Sequence, residues 1–171
     1  MPDVLPELPI DRLSYARMDA TAPGVLLIAE VGTDRGPFLS LQDSGSRAWA
    51  MEFTSSGSWP SFTMFHSDSF RGRFLAIDQW RVVVDPASAY LATSKMPRAG
   101  DAFISDQKPG WIGLIEGVES YVSTEGRKLS EPAWDKSFVG FRDWSIVTDI
   151  RGQEVTILRH SRADPDAKTT I

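Results

Sequence analysis

The feature that most constrains this chain is the length and rhythm of its apolar runs. GVLLIAEV, PFLSL, SRAWAMEF, SFTMFH, RFLAIDQWRVVVD, AYLATS, AFIS, WIGLIEG, ESYVSTEG, FVGFRDWSIVTD and EVTILRH follow one another along the chain. Gly, Pro, Asp or Ser interrupts nearly every pair, as in GTDRG and QDSGS. Runs this short suit half-buried strands, whose side chains change face at every residue, better than helices. No region alternates strands with long helices, which argues against a βαβ architecture. The expected fold is all-β or predominantly β, an antiparallel sandwich or partly closed barrel of about ten short strands.

Residues 1–19 read as an irregular or short helical lead-in. Pro2, Pro6 and Pro9 break its start, and IDRLSYARM (residues 10–18) would place Ile10, Leu13 and Met18 on one side of a short helical segment. Residues 20–160 form the expected single β-rich domain, and residues 161–171 a polar, frayed tail. A chain of 171 residues needs neither metal nor disulfide for bulk stability. Its 42% hydrophobic content and six tryptophans argue against disorder.

Several function classes are disfavoured. The chain has no cysteine, so thiol catalysis, iron–sulfur clusters and cysteine-bound zinc are excluded. A formal charge of -5 disfavours a phosphate backbone as partner and suits a basic protein better. There is no run of about eighteen apolar residues to span a membrane. The start MPDVLPELPIDRL, with Asp3 and Glu7, does not match a secretory signal, so the cytoplasm is the expected location. GTDRG lacks the lysine of a phosphate-binding loop, and no calcium-loop pattern appears, so no cofactor is expected.

One internal resemblance stands out. FLAIDQWRVVVD at 74–85 is echoed by FVGFRDWSIVTD at 138–149, with Phe74, Trp80, Val83 and Asp85 matching Phe138, Trp144, Val147 and Asp149. Four identities in twelve are within reach of chance in strand-rich sequence, so convergence on strand patterning is favoured over duplication. If each run were one strand, Asp78 and Arg142 would lie on otherwise apolar faces, where a lone charge is very expensive. A bulge or a turn dividing each run is the favoured escape. An Asp78–Arg142 ion pair, or a charge facing a ligand cavity, are the others.

Candidate chemistry is sparse. His66 and Asp68, two apart in SFTMFHSDSF, could act as an oriented base, though a strand-end histidine beside a polar turn explains them more simply. No third ligand lies nearby, so no metal site is expected. Trp59 in TSSGSWPS and Trp134 in EPAWDKS sit in polar loop sequence, where an exposed indole could anchor a partner. The leading expectation is a non-enzymatic protein–protein interaction module, of which an inhibitor or neutraliser of another protein is one form. A small-ligand binder using Trp80, Trp144, Asp78 or Arg142 comes second. A hydrolase or isomerase using His66 and Asp68 comes third.

Overall fold

A computed structural model describes residues 14–17, 20–28, 37–42, 45, 48–53, 63–66, 74–77, 79–93, 96–106, 108–115, 117–131 and 137–161. The described chain is mostly β. Its strands are β1 (Ser14–Ala16), β2 (Leu26–Ile28), β3 (Phe38–Gln42), β4 (Ala48–Glu52), β5 (Thr63–His66), β6 (Phe74–Ile77) and β7 (Arg81–Val84). After a 3-10 turn at Pro86–Ser88 come β8 (Ala89–Leu91), β9 (Ala102–Ser105), β10 (Lys108–Ile115), β11 (Val118–Ser123) and β12 (Lys128–Leu129). The last three are β13 (Val139–Phe141), β14 (Trp144–Ile150) and β15 (Gln153–His160).

Two architectural expectations are overturned. Within IDRLSYARM, Ser14–Ala16 is a strand antiparallel to β6, and no α-helix occurs among the described residues. A segment of one or two turns gains too few hydrogen bonds to nucleate a helix, whereas the β6 edge supplies partners at once. The strands also do not make a ten-stranded sandwich or partly closed barrel. Their antiparallel ladders form open sheets: β1-β6-β2-β3-β4-β5, β8-β13-β9-β10-β11-β12, and β15-β14-β7. Among the described residues, the backbones of the first two are linked by isolated parallel pairings, Leu114 with Thr63 and Gln42 with Arg127.

The echo resolves into a repeated pairing scheme. β1–β7 recur as β8–β14, the strands taking corresponding neighbours except that β14 also pairs with β15. Shifting β2 by 76 residues and β6 by 64 carries the pair Leu26–Ile77 onto Ala102–Phe141. The same shifts carry Leu27–Ala76 onto Phe103–Gly140, and Ser14–Ala76 onto Tyr90–Gly140. With shifts of 72 for β3, 71 for β4 and 64 for β5, Leu39–Met51 maps onto Trp111–Val122 and Met51–Met64 onto Val122–Lys128. The two parallel pairings are counterparts as well: Gln42 shifted by 72 is Leu114, and Thr63 shifted by 64 is Arg127.

Both long runs are divided by a turn, the first between Ile77 and Arg81, the second at Arg142 and Asp143. Each run therefore leaves a six-stranded sheet and enters the three-stranded one. There β7 and β14 pair with each other antiparallel, Val82 opposite Ile146, its own counterpart. Flanking pairs obey the same symmetry: Arg81 faces Val147, and Val83 faces Ser145. This is the pairing of two like elements about a local two-fold.

Packing follows the repeat. One central cluster takes Leu26, Leu39, Met51 and Ile77 from the first unit and Ala102, Trp111, Val122 and Phe141 from the second, with Trp144 and Ile146. Volumes compensate across counterparts: Leu26 becomes the smaller Ala102 while Leu39 becomes the larger Trp111. Dense cores tolerate such exchanges only when total volume is kept. Each unit also has its own smaller cluster, Leu27, Phe38, Ala50 and Phe74 in the first and Phe103, Ile112, Tyr121 and Phe138 in the second.

Candidate binding site

The two units differ most around their matched tryptophans. Trp80 precedes β7 and Trp144 opens β14, each just after the turn between sheets. The Trp80 indole N–H donates to the Gly24 carbonyl at 2.9 Å, and Trp144 donates to the Gly100 carbonyl at 3.0 Å. Gly24 and Gly100 are counterparts at the shift of 76, with φ of 85° and 99°, a left-handed conformation that favours glycine. Their N–H groups donate to the counterpart carbonyls of Ser40 and Ile112, both at 2.8 Å. The same local frame is thus built twice.

Its filling is not repeated. Phe53 is fully buried with its ring edge-on to Trp144, centroids 6.0 Å apart. The counterpart of Phe53 is Thr124. Their backbones are equivalent: Phe53 N–H donates to the Pro37 carbonyl at 2.9 Å, and Thr124 N–H to the Pro109 carbonyl at 3.2 Å. Beside Trp80, where a phenyl ring would be expected from the other unit, a cavity of about 350 Å³ lies between Gly24, Trp80, Arg81, Val82, Pro109 and Thr124. Trp80 is half-buried and stacks on the fully buried Trp111 at 5.9 Å, whereas Trp144 is 2% exposed.

The second difference is β15. It pairs along β14 and brings His160 opposite Trp144, with ring centroids 5.1 Å apart. Among the described residues, β7 has no corresponding neighbour on its outer edge. The Asp85 N–H donates to the Asp143 carbonyl at 2.9 Å, which sets the register of the β7–β14 ladder. Alternation along an antiparallel pair then directs the Val82 and Val84 backbone groups away from β14, toward that edge.

Charge at the cavity is already compensated. Arg81 pairs with Asp149 at 2.5 Å and with Glu154 at 2.6 Å. The hydrogen bond that Arg81 donates to Asp149 leads in raising its pKa, helped by the charges of both carboxylates. Beyond Arg81, the cavity is lined by Trp80, Val82, Pro109, Thr124 and Gly24, a wall about as polar as it is apolar, which can take a flat ring together with polar contacts.

The residues singled out in the sequence do not assemble there. Arg142 is 9% exposed at the turn before β14, its guanidinium 5.9 Å from the centroid of the Tyr90 ring. The turn does not carry the guanidinium out into solvent, and Arg142 does not line the cavity. Tyr90 in turn donates its hydroxyl to the fully buried Asp101, which also accepts from the Arg98 N–H at 3.1 Å. His66 is exposed at the end of β5 and stacks on Trp49 at 3.8 Å. Asp68, Trp59, Trp134 and Asp78 lie outside the described residues. No group of three potential metal ligands occurs among the described residues, nor a helix long and apolar enough to cross a membrane.

A second titratable group belongs to the second unit alone. Burial first, then the charges of Asp101 and Glu131, raise the Glu119 pKa above its ordinary value. Burial, with Glu119 and Glu131, pushes the Tyr121 hydroxyl up to about 12. The counterparts of Glu119 and Tyr121 on β4 are Ala48 and Ala50.

Sequence reasoning singled out Trp80 and Trp144, of which Trp80 lines the cavity and Trp144 is in the core, and missed Gly24, Pro109, Thr124 and the filler Phe53. The signal existed in the matched pairs Gly24/Gly100 and Pro37/Pro109, but at shifts other than 64. The chain belongs to the family described as Uncharacterised protein y4lG, whose model matches residues 17–169. No curated protein and no solved structure matches the chain.

Proposed function

We propose that this protein is a non-enzymatic binding module that captures an apolar or aromatic side chain of a partner protein in the cavity beside Trp80. One observation carries the reading: Phe53 packs on Trp144, while the matched position beside Trp80 holds Thr124 and an open cavity. The first unit thus supplies a ring to Trp144 of the second, and the second unit returns none to Trp80 of the first. The best occupant resembles Phe53. Binding a side chain into a largely preformed site gains apolar burial without the cost of ordering the site first.

The test uses N-acetylphenylalanine amide as a minimal probe and nuclear magnetic resonance of the indole N–H groups. Titration should shift the Trp80 indole signal and leave Trp144 unmoved. Thr124→Phe, which fills the cavity from within, should abolish the response. A probe that leaves Trp80 unmoved at millimolar concentration, or acts equally on Thr124→Phe, would overturn the reading.

A small-molecule ligand is the second reading, supported by the cavity volume of about 350 Å³. That is at the low end of ligand pockets, which run from about 300 to 1,000 Å³. It predicts a compact aromatic compound that binds far more tightly than any peptide carrying the same ring.

A further inference from the structure

We infer that the partner docks as an extended segment that adds to the free edge of β7, antiparallel to it, with a planar side chain opposite Trp80. This deepens the proposed function and rests on it: the ring opposite Trp80 would take the place His160 holds on Trp144, on the edge beside the cavity. The argument comes from what the protein does to itself in the other unit. β14 and β7 are counterparts that pair with each other about a local two-fold. β14 is covered on its outer edge by β15, and β7, among the described residues, is not.

The β14–β15 ladder specifies the occupant. His160 lies opposite Trp144 and its ring packs against the indole, and Leu158 lies opposite Ile146. Carried over to β7, the incoming segment would set a flat ring opposite Trp80 and an aliphatic side chain opposite Val82. Its backbone would meet the outward N–H and C=O groups of Val82 and Val84. Strand addition of this kind draws affinity from main-chain hydrogen bonds and specificity from a pocket that reads alternate side chains. Trp80 has both halves of that arrangement: an edge at Val82 that no described residue covers, and a cavity on its own flank. The counterpart Trp144 has both filled, by β15 and Phe53.

An acetylated, amidated peptide of residues 153–160, QEVTILRH, is the direct probe, because β15 already fits the equivalent edge. Titrated into the full chain, it should slow hydrogen exchange at the Val82 and Val84 amides and shift the Trp80 indole signal. The same peptide N-methylated at its Leu158 should bind roughly tenfold more weakly, the loss of about one main-chain hydrogen bond.

Equal binding by the methylated peptide, or a Trp80 shift with no protection at Val82, overturns strand addition but leaves side-chain capture standing. Binding of N-acetylphenylalanine amide without binding of the peptide has the same meaning. Loss of protection at Ile146 and Thr148 would mean that the peptide merely displaces β15, and the inference falls. A concentration-dependent dimer that protects Val82 without peptide would assign the edge to a second copy and overturn the partner segment. Failure of both probes to move Trp80 overturns the proposed function together with this inference.

Discussion

Two tryptophans in the same frame meet different surroundings. Trp144 and Trp80 hold the same hydrogen bond to a matched glycine, yet one is sealed between Phe53 and His160 while the other flanks a cavity. The backbone is repeated, and the filling is what has diverged. A large change in what a site can receive thus needs only one side chain and one added strand.

The comparison can be broken most forcefully from the sealed side. Phe53→Ala should destabilise the protein by about 3–5 kcal/mol, the usual loss for a fully buried phenylalanine. Denaturant unfolding would measure it. A loss below about 1 kcal/mol would mean that Phe53 is not the filler claimed here.

Next comes Gly140, whose counterpart is Ala76. A Cβ at Gly140 would stand 2.3 Å from the Tyr90 ring, which must then move. Gly140→Ala should cost about 1–3 kcal/mol through overpacking, although the other unit accommodates an alanine at the matched position. Equal stability of variant and parent by thermal unfolding would remove this asymmetry.

Thr124→Phe sharpens the contrast from the open side. If the cavity accepts a phenyl ring as its counterpart does, the variant should gain about 1 kcal/mol, as cavity-filling changes commonly do, and Trp80 emission should shift to the blue. A clear destabilisation would show that the two frames are less alike than their hydrogen bonds.

The smallest expected effect is on pH dependence, which should belong to the second unit. The Glu119 pKa is raised, so its protonated form is favoured by folding. The associated stability is complete below the unfolded value of 4.5 and is lost as the pH rises through the folded value. Glu119→Gln should therefore gain stability over the parent as pH increases from below 4.5 to neutrality. Tyr121, raised from 10.0 to about 12, should contribute a further loss across that interval. In Glu119→Gln the Tyr121 titration should move toward 10.0, while burial keeps it above that value. Ultraviolet absorbance of the phenolate would follow it, and an unchanged midpoint would remove the Glu119 contribution.

Strand content was readable because turn residues punctuate the chain and apolar residues alternate. A division of the two long runs was also expected, but the cost of a charge on an apolar face was not the reason: Arg142 stays buried beside its turn, and Asp78 lies outside the described residues. What escaped was the extent of the repeat. Only β5, β6 and β7 keep the shift of 64. Unequal loops move β4 to 71, β3 to 72 and β2 to 76, so Pro37 and Gly24 no longer align with Pro109 and Gly100 at one spacing. Compensating exchanges such as Leu26 for Ala102 hid the remainder. The strand at Ser14–Ala16 escaped for a different reason: three residues carry no usable period, and their conformation is decided by a distant partner, β6.

The turn at Pro86–Ser88 joins the two units, each of which contributes a strand to the shared three-stranded sheet. A chain severed there would yield two pieces, neither able to complete that sheet by itself. Supplied together, they have matching edges through which to recombine, so protease nicking at this turn should leave a noncovalent complex rather than two independent modules.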